Sequence, residues 1–221
     1  MALSDTFASA TNRVGTFTSG GLATFLSRRT TNEIAVCLGF ALACLMIAAL
    51  AALVAYPFDT LKVGPVENGW FESAQTFALG LTVLLSVEAL LKARHEIFYF
   101  SATLVILLPL AMVRETPRCG SPFYDGGLCL TANGKALTVM IAIALVVALV
   151  AIRRVSFARS WRELTFFYAV PVAVTLSMLV GAEILGKLIY VWAEEIFELA
   201  AYLNLFGLAL AVRMRPSWFS A

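Results

Sequence analysis

A chain of 221 residues with 61% hydrophobic and only 14% charged side chains lies far from the composition of a soluble domain, in which about 25% are charged. It reads as a membrane protein, and a net charge of +2, whose spatial asymmetry follows from topology, gives no basis for nucleic-acid binding. The charges leave six apolar windows, each long enough for a helix to cross about 30 Å of hydrocarbon at about 1.5 Å per residue. The expected fold is an all-α polytopic membrane helix bundle of about six transmembrane helices.

Residues 1–33 are Ser/Thr-rich and basic, and Gly15, Gly20 and Gly21 interrupt any long helix, so they read as a tail or surface-lying segment. The first span, Ile34 to Tyr56, carries no charge and ends at Pro57, where a proline stops a helix. It is too long and charge-free for a removable signal core. The second runs from about Phe71 to Leu91 and contains Glu88, which Lys92 reaches one turn on as a snorkelling surface pair. The third, about Ile97 to Val113, is short and carries Pro109. The fourth is Ala136 to Ile152, stopped by Arg153 and Arg154; the fifth runs from about Leu164 through Pro171 to about Ala182; the sixth lies within Ile184 to Val212.

Short cytoplasmic loops retain Lys and Arg. With the amino terminus inside, eleven of the sixteen cationic residues fall on the cytoplasmic side, leaving Lys62, Arg114, Arg118, Lys135 and Lys187 outside. Both termini are therefore expected in the cytoplasm: a tail over 1–33, a six-span domain over 34–212 with an exported loop at about 114–135, and a second tail over 213–221.

The cysteines form two pairs. Cys37 and Cys44 share a face of the first span and read as small buried apolar residues. Cys119 and Cys129 lie in the exported loop, where an oxidising compartment favours a disulfide that orders the loop as a lid.

Nine of the fourteen acids fall on the outer side or in the outer part of a span: Asp59, Glu67, Glu72, Glu115, Asp125, Glu183, Glu194, Glu195 and Glu198. Glu72 and Gln75 are three apart; Glu195 and Glu198 are three apart, and Glu194 and Glu198 four apart, so each pair shares a helical face. An ionised acid at a helix centre costs roughly 2.5–3.5 kcal/mol on insertion scales, so these must be shallow, protonated or partnered. Arg114 is the natural partner, since its planar donors engage carboxylates two bonds at a time, and Lys187 lies one turn beyond Glu183.

Three function classes follow. Arg114 pairing with Glu195 or Glu198 is an interhelical clamp, suited to an accessory or assembly subunit with a membrane-protein partner. Small residues of the first span, Gly39, Ala43, Ala48 and Ala52, permit close helix approach to such a partner. Alternatively Glu72, Gln75, Arg114, Glu115, Glu194, Glu195 and Glu198 form a site that binds or translocates a cation, proton or polar headgroup; a divalent cation is one candidate, because hard cations take oxygen ligands. Third, paired carboxylates can act as acid and base on a lipid headgroup. No cofactor is identified: a single histidine, His95, excludes bis-histidine haem and multi-histidine zinc within the chain, and no nucleotide-binding or nucleophile-elbow motif is present.

The order "ENGWFESAQ" opening one span, "RET" closing the next and "EEIFELAAYLNLF" in the last resembles a group of uncharacterised bacterial inner-membrane proteins with an E-x-G-x-x-E opening, an Arg-Glu step and a late E-E-x-x-E-L. The resemblance spans roughly Glu67 to Phe206. It implies a bacterial inner (plasma) membrane location, with Glu67, Glu72, Arg114, Glu115, Glu194, Glu195 and Glu198 as a shared polar set, and it implies no activity.

Overall fold

The structure, a computed structural model, describes residues 31–55, 70–92, 97–116, 118–120, 129–162, 166–188, 191–215 and 219. Among them are seven helices: α1 (Thr31–Ala55), α2 (Trp70–Lys92), α3 (Phe98–Glu115), α4 (Ala132–Arg153), α5 (Phe157–Arg162), α6 (Phe166–Lys187) and α7 (Val191–Met214). Six of them, all but α5, are long and apolar enough to cross a membrane. Residues 1–30 of the expected tail, together with Asp59, Lys62, Glu67, His95 and Asp125, lie outside the described residues, and residues 31–33 open α1.

Several boundaries differ from the hydropathy windows, each for a local reason. The fifth span does not stop at Ala182. Lys187 pairs with Glu183 one turn away at 3.1 Å on an exposed face, so the acid is tolerated and α6 continues to Lys187. The sixth span accordingly starts at Val191. Helix α4 begins before its apolar run because Thr131 caps it, its Oγ1 accepting from the Gly134 N–H at 3.0 Å. Its other end closes on Arg154 in the left-handed conformation at φ 48°. With α3 reaching Glu115 and α4 starting at Ala132, the connection is shorter than the expected 114–135 loop. Hydropathy does not announce the six-residue α5.

Helix α7 is the centre of the bundle. It packs on α6, α2 and α1, and 56% of its apolar window is buried, against 11% for α4, which lies outside and packs on α3. The α1–α7 contact is a seam of small side chains, with Cys37, Ala41, Cys44, Ala48 and Ala52 buried at spacings that keep to one face, against Ile196, Leu199 and Ala200. The two cysteines are free thiols and serve as small packing residues, as their spacing predicts. Ala48 and Ala52 belong to this seam, whereas Gly39 and Ala43 lie on the exposed face beside Leu38 and Leu42. Those two are turned away because a helix seam repeats every three or four residues, which places 39 and 43 on another side.

Helix α3 rests closely on α2 and α4 but stands off from α7 and α6. Long side chains close the gap to α7: Leu104 and Leu108 meet Tyr202 and Leu205, together with Ala78 and Leu79 of α2. Opposite, α6 is tied to α7 by buried Asn204, whose Nδ2 donates to the Pro171 carbonyl at 3.0 Å and to Thr175 Oγ1 at 2.9 Å.

The bundle end that carries residues 88–92, 97–99 and 213 is held by polar links. Lys92 bonds Glu88 at 2.6 Å, as the sequence predicts, but Glu88 also meets Arg213 of α7 at 3.4 Å, which makes it an interhelical contact as well as a surface pair. Tyr99 donates to the Val155 carbonyl at 2.7 Å, and Arg153 donates to the Leu91 carbonyl. At the other end Cys119 and Cys129 form a disulfide, adjacent to a bridge between Arg118 and Leu130. The loop interior, 121–128, lies outside the described residues.

Candidate functional site

The end of the bundle opposite Glu88 gathers the first turn of α2, the last turn of α3, the last turn of α6 and the first two turns of α7. Arg114 Nη2 donates to Glu198 Oε1 at 2.6 Å, and the same nitrogen lies 3.9 Å from Glu194 Oε1. Its Nε is 3.8 Å from Glu115 Oε1. The Glu198 and Glu115 side chains are 3% and 8% exposed, whereas that of Arg114 is 55% exposed, so the arginine is the open side of the group.

Glu195 turns the other way. Gln75, fully buried on α2, donates from Nε2 to Glu195 Oε2 at 2.7 Å and to the Glu195 carbonyl at 3.3 Å. Because both contacts are to acceptors, they fix the amide with its nitrogen toward Glu195. The amide oxygen, Oε1, is buried with no hydrogen-bond partner among the described residues. Glu195 has no ion-pair partner among them either. Glu72, half-buried one turn before Gln75, lies within electrostatic range of both Glu115 and Glu195.

The two alternatives that the sequence leaves open for Arg114 are thereby separated. Its close partner is Glu198, and Glu195 pairs with Gln75. Three residues of helix leave the two side chains about 60° apart around α7, enough to turn Glu195 toward α2 and Glu198 toward α3.

Tyr202, Gly186 and Glu194 complete the geometry. Tyr202, 2% exposed, donates its hydroxyl to Glu115 Oε1 at 3.0 Å, and its ring stands in the apolar core below. Glu194 lies directly over Gly186 of α6, where a methyl group would fall on its carboxylate. Glycine here permits a close approach of an acid to a helix backbone. Neither Tyr202 nor Gly186 stands out by hydropathy, but 194, 198 and 202 repeat every four residues on one face, the available signal for Tyr202.

Among the described residues no three His, Cys, Asp or Glu side chains are grouped to hold a metal ion. What the arrangement offers among the described residues is three acids around Arg114 and a fourth, Glu195, held by an amide. No protein family, curated protein or solved structure matches the chain.

Proposed function

We propose that these residues form a carboxylate cluster whose role is to bind a positively charged ligand: a monovalent cation, a proton or the ammonium of a polar headgroup. The reading rests on one imbalance. Glu115, Glu194 and Glu198 share Arg114, while Glu195 relies on Gln75, whose own oxygen lacks a donor among the described residues. A carboxylate removed from water without a counter-charge costs several kcal/mol, so a ligand bringing positive charge and donors gains what the protein does not supply. The Lys/Arg bias sets the orientation in this account, with both termini cytoplasmic and the cluster on the outer face of a bacterial inner membrane.

A second reading has a specific observation in its favour. The Arg114–Glu198 contact joins α3 to α7 where their backbones stand apart, as an interhelical clamp in an accessory or assembly subunit would. The clamp accounts for Glu198, and a Gln75–Glu195 bond can tie α2 to α7 in the same way, but neither accounts for the Gln75 oxygen that lacks a donor among the described residues, so ligand binding is preferred. Melting of the detergent-purified protein in ammonium, ethanolamine, sodium, potassium, magnesium and calcium chlorides at fixed ionic strength separates the two. The binding account expects at least one monovalent cation to raise the melting temperature by about 2–4 °C, with the shift lost in Glu195→Gln. A flat response across the panel, or an equal shift in the variant, overturns it.

A further inference from the structure

Immediately below the polar end, the space left where α3 stands off from α6 and α7 is an apolar groove of about 280 Å³. Leu104, Leu107 and Leu108 form one wall, Val172, Leu176 and Leu179 the other, and Tyr202 and Leu205 the floor. Leu107 and Leu176, on opposite walls, are exposed, so the groove is open sideways toward the hydrocarbon of a membrane. Along α3 it runs from Phe100 to Ala111, roughly 16 Å at about 1.5 Å per residue, the extended length of about a dozen methylenes.

Tyr202 links the groove to the polar end: its ring belongs to the floor and its hydroxyl donates to Glu115. At the groove's head stand Arg114 at the end of α3 and Glu194, which lies over Gly186 of α6 and within 3.9 Å of the guanidinium. An exposed cation and an acid therefore lie 3.9 Å apart in the polar end, and the buried Gln75 oxygen, without a hydrogen-bond partner among the described residues, lies on α2 in the same end.

We infer that the ligand is a membrane lipid with a zwitterionic phosphoethanolamine headgroup, one acyl chain lying in the α3–α6–α7 groove and the headgroup at Arg114 and the acids. The inference rests on the cation-binding reading above and specifies its ligand class. Charge complementarity selects the occupant: the half-exposed guanidinium suits the phosphate, and the ammonium brings three donors to carboxylates that have acceptors to spare. An anionic lipid satisfies only Arg114 and is repelled by the acids. A free amine satisfies the acids and leaves the groove to other lipid.

The test compares melting of the detergent-purified chain with dioleoyl phosphatidylethanolamine, dioleoyl phosphatidylglycerol and water-soluble ethanolamine. The variants are Leu176→Trp, which fills the groove from its exposed rim, Val147→Trp, an exposed position on α4 away from it, and Glu195→Gln. The expected result is a rise of about 2–4 °C with phosphatidylethanolamine, larger than with either other probe, abolished down to the ethanolamine level by Leu176→Trp and retained by Val147→Trp. Equal shifts from ethanolamine and phosphatidylethanolamine, both kept in Leu176→Trp and lost in Glu195→Gln, overturn the lipid and leave cation binding standing. Equal shifts from both phospholipids, unchanged by Glu195→Gln, overturn the lipid as generic solvation. No shift from any probe removes the lipid, and cation binding falls with it only when the inorganic cations are also without effect.

Discussion

The Arg114 guanidinium lies 2.6 Å from Glu198 Oε1, joining the last turn of α3 to the second turn of α7 across a gap that their backbones do not close. The contact is unequal: the Glu198 side chain is 3% exposed and the Arg114 side chain 55%. Solvent screens the cation, whereas the buried acid depends on the bond. Glu198→Gln keeps the shape and removes the charge, so a loss of up to roughly 1.5–3 kcal/mol is expected, the range for a hydrogen bond to a charged group. Arg114→Met strands the carboxylate and should cost at least as much. A double-mutant cycle read by thermal unfolding in detergent checks the pair; a coupling energy near zero denies that the contact holds α3 to α7.

Gln75 and Glu195 make the complementary prediction for α2 and α7. Gln75→Glu removes both donors and sets a second carboxylate within 2.7 Å of the first position, so it should lower stability by about 1–3 kcal/mol. Gln75→Asn retains the chemistry with a shorter reach and should fall between. If Gln75→Glu melts like the parent, the amide does not carry the interaction assigned to it.

Gly186 tests whether position or bulk matters at the polar end. The atoms that a methyl group meets there are the tip of the flexible Glu194 side chain, which can move aside. Gly186→Ala is therefore expected to change stability by less than about 1 kcal/mol, the better helix propensity offsetting the displacement. It should nonetheless weaken cation-dependent stabilisation, because Glu194 loses its place near Arg114. Full cation response in Gly186→Ala counts against a role for Glu194.

The six spans were legible because an unbroken apolar run has one stable solution in a bilayer, and α1 to α4 fall within a few residues of their windows. Glu183 marked the fifth boundary too early: Lys187 one turn on was visible in the sequence, but that the helix runs on through the pair was not. The acids and Arg114 were legible as chemistry, but the choice between Glu195 and Glu198 needed the rotation of α7, which neighbouring helices set. Hydropathy also cannot show that α3 stands off from α7, nor that Phe219, close to the carboxyl terminus, packs at 1% exposure with Leu208 and Val212. Both depend on contacts between segments far apart in the chain.

The disulfide links residues ten apart, for which loop-closure entropy suggests a stabilisation of about 3 kcal/mol. Alkylation of the denatured, unreduced protein should label two of the four cysteines, Cys37 and Cys44, and reduction should expose all four. Labelling of four thiols before reduction contradicts the bridge.

The central claim, that the polar end holds a positively charged ligand, is tested most directly by an experimental structure of the chain in lipid nanodiscs containing phosphatidylethanolamine, at a resolution that distinguishes non-protein density. The account predicts density within about 3 Å of Gln75 Oε1, which has no donor among the described residues, or of a Glu195 or Glu194 carboxylate oxygen. A polar end that is empty and dry, with Gln75 Oε1 bonded to a protein donor and Glu195 satisfied by its neighbours, contradicts it.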